Sequence, residues 1–158
     1  MKRLTALFVS AIFIAMTVAS SLLATGAVGT EVDGAAAGLF PDGSGFNGVG
    51  LLTSTFGQGV TILSDGSATG DFFTVLAGTS VGGEPQNIVL SGVASSGSGN
   101  GATATFSGTG LLDMGDGTPA LPVPFSVTVT SGGLTLAIAG TTLPTQTLTD
   151  GGINIQPW

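Results

Sequence analysis

The chain has 158 residues, a net charge of -7, and no Cys, His or Tyr. Its two basic side chains, Lys2 and Arg3, both lie at the start, so nothing beyond Leu4 can neutralise phosphate. That excludes nucleic acid as a partner and disfavours anionic lipid surfaces, while the missing Cys and His remove disulfides, thiolate metal sites and Ser-His chemistry.

Met1, Lys2 and Arg3 form a short basic head on an apolar run through residues 4–19, and small residues follow at Ser20, Ser21, Ala24, Thr25 and Gly26. This order is that of a secretory signal helix, with cleavage expected between Ala24 and Gly29. Residues 4–24 are also about long enough to cross a bilayer at ~1.5 Å per residue, so an uncleaved anchor is the competing reading. A pilin-type leader cut near Arg3 fits poorly, because no Gly precedes the apolar run and no Glu follows early within it. All three readings export the rest of the chain.

Residues 28–45 are rich in Gly and Ala and carry the turn Pro41-Asp42-Gly43, which reads as a loosely ordered lead-in or a first edge strand. Strands are expected over residues 48–55 and 60–64. Asp65-Gly66 is a hairpin dipeptide that returns the chain through residues 68–77. Residues 78–87 read as a loop, 88–94 as a strand, 95–101 as a Gly/Ser connection, 102–108 as a strand and 111–122 as a longer loop.

The clearest pattern comes next. Phe125, Val127 and Val129 alternate with Ser126, Thr128 and Thr130, and Leu134, Leu136 and Ile138 alternate with Thr135, Ala137 and Ala139. A period of two puts each set on one side of a strand. Gly132-Gly133 between them is expected to supply the positive φ angles of a tight hairpin. A further strand is expected over residues 141–145 and a last one over 153–155.

The sum is an all-β fold: a single β-sandwich or small closed barrel of about seven or eight mostly antiparallel strands, with turns about every ten residues. The organisation is a signal segment over 1–27, the Gly/Ala-rich lead-in over 28–45 and one all-β domain over 46–158. Residues 46–52 and 106–112 share the pattern F-x-G-x-G-L-L, which raises an internal duplication.

Carboxylates and hydroxyls are the remaining chemistry. Two carboxylates can hydrolyse a glycoside, and Asp65, Asp71, Asp113 or Asp116 would have to supply the pair. The same four side chains are the candidate calcium ligands, from residues 113–118 and 65–71, because a hard cation wants several oxygens from one loop. Asp65, Asp116 and Asp150 each precede Gly, however, where Asp favours a turn by bonding its own backbone. Thr103/Thr105, Thr128/Thr130 and Thr145/Thr147/Thr149 could form a hydroxyl array of the kind that meets ice or a crystalline polysaccharide; such Thr is also ordinary on solvent-facing strands. A membrane barrel is not expected, since Tyr is absent, Trp occurs once, and Asn154, Gln156 and Pro157 break the apolar alternation of a terminal membrane strand.

The expected function is that of an exported, non-enzymatic β-domain with a structural or binding role at the cell surface or outside the cell. No cofactor is implied beyond the calcium candidates. The alternatives are a filament or matrix subunit that assembles by adding residues 28–46 or 153–155 to a neighbour's sheet, a carboxylate-based glycan-active enzyme, and a calcium-dependent adhesin.

Overall fold

A computed structural model describes residues 29–158; the expected signal helix lies outside the described residues. The chain forms β1 (Gly29–Leu39), β2 (Gly45–Phe46), β3 (Val49–Leu63), β4 (Ala68–Thr79), β5 (Pro85–Gly99), β6 (Thr103–Asp113), β7 (Leu121–Thr130), β8 (Gly133–Ile138), β9 (Thr141–Thr142) and β10 (Gln146–Pro157). All the pairings are antiparallel and all belong to one sheet. The all-β, antiparallel expectation therefore holds, and no helix of the described residues is long and apolar enough to cross a membrane.

From β3 to β8 the sheet is a meander in which each long strand pairs with the next. β1 then pairs with β3 along one edge, from Gly29↔Leu63 to Leu39↔Thr53, and with β10 along the other, from Thr30↔Pro157 to Leu39↔Thr147. β10 meets β8 at Gln146↔Leu134 and Thr147↔Gly133, so the path of hydrogen bonds returns to its start. Gly29 and Trp158 exchange two backbone hydrogen bonds at 3.1 Å each.

The alternation read at Phe125–Val129 and Leu134–Ile138 sets the buried face. Those six side chains are buried, with Ser126, Thr128 and Thr135 on the other side. The same phase carries Val60 and Ile62 on β3, Phe72 and Leu76 on β4, Ile88 and Leu90 on β5, and Ala104 and Phe106 on β6 into one core. Each large aliphatic or aromatic side chain so buried contributes about 1.5–3 kcal/mol. Polar groups on this face are few: Ser54 Oγ donates to Gln146 Oε1, and Thr74 Oγ1 donates to the Thr55 carbonyl at 3.0 Å.

Several expectations need correction. Of the two readings of residues 28–45, a lead-in or an edge strand, the strand holds, since β1 occupies Gly29–Leu39, but it lies between two partner strands and not at an edge. Its alternation was hidden since the buried positions are held largely by small residues, with Val32 and Ala36 buried but Gly34 and Gly38 between and beyond them. A Cβ at Gly38 would stand 3.0 Å from Gln146 Oε1, so a larger residue there requires the Gln146 side chain to shift. The two strands expected over 48–55 and 60–64 are one 15-residue strand, β3, since Gly57 and Gly59 keep the period and face open space.

The Gly/Ser connections are also shorter than expected, because small polar residues suit the solvent side of a strand. β5 runs on to Gly99, β6 to Asp113, and β10 spans 12 residues rather than three. The β7–β8 hairpin forms as expected, but neither Gly132 nor Gly133 takes a positive φ. Gly133 serves instead where β10 approaches: a Cβ there would lie 2.8 Å from the Gln146 carbonyl oxygen. The F-x-G-x-G-L-L segments are not structural copies. Residues 46–52 turn from β2 into β3 through Asn47 and Gly48 at φ 46 and 83, whereas 106–112 run straight along β6.

Candidate binding surface

The four predicted carboxylates come from three places: the β3–β4 turn (Asp65), β4 (Asp71) and the end of β6 with the loop after it (Asp113 and Asp116). Asp65 sits in the β3–β4 turn, where its Oδ1 accepts the Ser67 N–H at 2.9 Å and the Ser67 hydroxyl at 2.6 Å. Asp116 does the same in the β6–β7 loop, accepting from the Thr118 N–H at 2.9 Å and the Thr118 hydroxyl at 2.6 Å, and Asp113 accepts the Gly115 N–H at 2.8 Å. Following the strand directions, the β3–β4 turn and the β6–β7 loop lie at opposite ends of the sheet.

Asp71 projects from the exposed face of β4 opposite Val93, and Asp113 lies opposite Val89 of the same β5. Two strand spacings and four residues along β5 separate them, roughly 16 Å at ~4.8 Å per strand and ~3.4 Å per residue. That is beyond the ~10 Å within which two carboxyl groups act on one glycosidic bond. Among the described residues no three His, Cys, Asp or Glu side chains converge as a metal site would require.

The turn bonds have an electrostatic consequence. Hydrogen bonds from the Ser67 hydroxyl and N–H hold the Asp65 carboxyl below its ordinary value of 3.8, and those from Thr118 do the same for Asp116. A depressed folded-state pKa adds stability that is complete above the unfolded value and is lost as pH falls through the folded one. Thermal melts should therefore show a melting temperature that falls below about pH 4. In an Asp65→Ala/Asp116→Ala double variant that acid limb should be shallower; an identical limb would show that the turn bonds carry no such linkage.

Where β4, β5, β6 and β7 run side by side, their exposed face holds a hollow of about 510 Å³. Phe73, Val93, Leu111 and Pro122 wall it, Asp71, Ser91 and Thr109 are its polar contributors, and Gly92 and Gly110 lie side by side in its floor. Phe73, Val93 and Leu111 are about half exposed, at 47%, 58% and 53%. The register brings them together from three strands: Phe73 lies opposite Ser91, Ser91 opposite Leu111, and Leu111 opposite Pro122. Phe72-Phe73 and Leu111-Leu112 were the signal in the sequence, since a doubled apolar pair leaves one member on the solvent side.

The threonines do assemble, in part. Thr103 lies opposite Thr130, Thr105 opposite Thr128, and Thr128 opposite Thr135. The Thr105 and Thr128 hydroxyls are 3.0 Å apart and those of Thr135 and Thr145 are 2.7 Å apart. Thr147 lies opposite Gly133, which itself pairs with Thr130, so it extends the Thr103–Thr130 row onto β10, and Thr149 lies beyond it. A second cleft of about 350 Å³ sits at the end of the sheet where Thr30, Ser64, Gly66, Ser98, Asn100 and Pro157 meet.

Compared with known proteins, the chain matches no family model, no curated protein and no solved structure.

Proposed function

We propose that the chain is an exported, non-enzymatic β-domain that closes into a small barrel and works as a binding or structural module through its outer face, at the cell surface or beyond it. The observation that carries this reading is the hollow bounded by Phe73, Val93, Leu111 and Pro122, an apolar concavity with one carboxylate, Asp71, on an otherwise hydroxyl-rich surface. Such a site suits an apolar group that is neutral or carries a positive charge. The barrel reading rests on the pairings of β1 with both β3 and β10. A core filled by Phe72, Phe106 and Phe125 argues that ligands meet the outside of the barrel and not a lumen.

Export rests on the basic-then-apolar order of residues 1–24. Over residues 103–107 of β6, 125–130 of β7 and 134–138 of β8 the Thr and Ser lie outside and the large hydrocarbon side chains inside, the reverse of the apolar outer band of a membrane barrel, which supports a domain that is not membrane-embedded. For a filament built by strand donation, the two expected donor segments, 28–46 and 153–155, would have to be free. In this chain β1 and β10 pair with each other, which favours the first reading.

Fractionation of the producing cell with N-terminal sequencing should recover the protein outside the cytoplasm, beginning between residues 25 and 29 if the leader is cut; recovery of the intact chain from cytosol would end the export reading. The neutral dye Nile red should brighten on the folded protein and lose that signal in a Phe73→Ser/Leu111→Ser variant of unchanged melting temperature. An equal signal in both proteins would remove the hollow as the binding surface.

A further inference from the structure

We propose that the outer edge of β10 is a self-association edge through which two copies of the chain join as a closed antiparallel pair. β1 has a partner strand on each side, but β10 has one along its full length on one side only. On the other side β8 reaches it at Gln146 and Thr147, the Leu148 N–H donates to the Gly132 carbonyl at 3.4 Å, and there the β7–β8 hairpin ends. From Thr149 to Pro157 β10 continues with no strand beside it, exposed at every position except Ile153 and Ile155, which are half-buried against the core.

A strand edge in this condition presents a row of unpaired N–H and C=O groups, which proteins ordinarily blunt with charge, Pro or a bulge. Here Asp150 and Pro157 stand at the two ends, and the stretch between them, Gly-Gly-Ile-Asn-Ile-Gln, has neither charge nor Pro. The one register shift in the β1–β10 ladder falls opposite Leu148–Asp150, where the free edge begins, and Gly151 follows at φ 76, so the regular part of the edge is Gly152–Gln156.

The occupant follows from counting edges. Among the described residues β2 and β9 are two residues each and too short to hold a neighbour, and the part of β7 that has β6 alone beside it, Leu121–Pro124, carries Pro122 and Pro124, which lack the N–H a neighbour would need. A filament needs two different complementary edges, whereas one edge meeting itself about a two-fold axis closes at two copies. Antiparallel pairing centred on Ile153 sets Gly151 against Ile155 and Asp150 against Gln156 across the axis, so the two Asp150 carboxylates are not opposed. The absence of any Lys or Arg beyond residue 3 leaves no cation to reward an acidic peptide in its place.

The absence of cysteine makes the test direct. A Cβ at Gly152 or at Gly57 meets nothing within 4 Å, and neither residue has a positive φ, so each accepts a side chain. Multi-angle light scattering of the purified protein should show twice the chain mass at high concentration. Gly152→Cys should be captured as a dimer by a short bis-maleimide at least tenfold faster than Gly57→Cys. Gly152→Lys should shift the mass to that of one chain without lowering the melting temperature, while Gly57→Lys should not. A single-chain mass at all concentrations, equal capture of the two cysteine variants, a dimer that survives Gly152→Lys, or growth beyond two copies would each overturn the proposal.

Discussion

Phe72→Ala is expected to lower the unfolding free energy by about 3–5 kcal/mol, a large part of the ~5–15 kcal/mol that holds an ordinary domain together. Phe72 is 1% exposed on β4, edge-on to Phe106 with ring centroids 5.9 Å apart and stacked on Phe125 at 5.6 Å. The stack exists because the two strands between give way. Phe72 lies opposite Gly92, Gly92 opposite Gly110, and a Cβ at Gly92 would stand 2.5 Å from Phe125 Cε1. The Phe125 ring thus fills room that two glycines leave on β5 and β6, and removal of Phe72 opens a cavity that no neighbouring side chain is free to fill. Urea unfolding followed by circular dichroism checks this. A loss below ~1 kcal/mol would mean that the aromatic cluster does not pack as a unit. Phe72 also lines the floor of the outer hollow, so Nile red binding should weaken in the same variant.

Gly70→Ala is expected to cost about 3 kcal/mol through a different cause, a combination of backbone strain and displacement. Gly70 has φ +133, and a Cβ there would lie 2.0 Å from the Gly59 carbonyl oxygen and 2.8 Å from the Val60 Cα. Both are backbone atoms of β3, so relief requires the ladder itself to move, and Val60 beside it is 1% exposed in the core. Gly57→Ala on the same strand is the control. It has no positive φ and open space around it, and should be neutral or stabilise by up to ~1 kcal/mol. Thermal melts of the two variants side by side decide the matter; equal melting temperatures would remove the close approach at Gly70 as a constraint.

What could be read beforehand follows from what a strand imposes locally. Phe125, Val127 and Val129 against Ser126, Thr128 and Thr130 announce a two-sided strand, and Asp65-Gly66 announces its turn, because both are contained in a few neighbouring residues. β1 is legible only as one of two alternatives, because close backbone approach selects small residues and Gly34, Ala36 and Gly38 carry no periodic hydrophobic signal, and its second partner strand has no mark in the sequence. β3 was cut in two because Gly57 and Gly59 resemble turn residues when only neighbours in sequence are considered. The pairing of Thr30 with Pro157 lies outside any local pattern.

The candidate surface divides in the same way. The carboxylates at Asp65 and Asp116 were legible as turn residues from the Gly that follows each. The calcium groupings of Asp65 with Asp71 and of Asp113 with Asp116 rest on nearness in sequence, and among the described residues no third carboxylate joins either pair. The hollow joins residues from four strands, and only the registers of β4 with β5, β5 with β6 and β6 with β7 bring Phe73, Val93, Leu111 and Pro122 together.

The partnership of β1 with β10 also fixes a timetable. β1 and β3 can zip together as soon as residues 29–63 have left the ribosome, and each later strand can be laid down on the one before it. The far flank of β1 must nevertheless wait until Gln146–Pro157 arrive, across a loop whose closure entropy rises with the logarithm of its length. During that interval the nascent chain is a curled ribbon with an adhesive N-terminal margin, and the final clasp is what converts a growing sheet into a finished molecule.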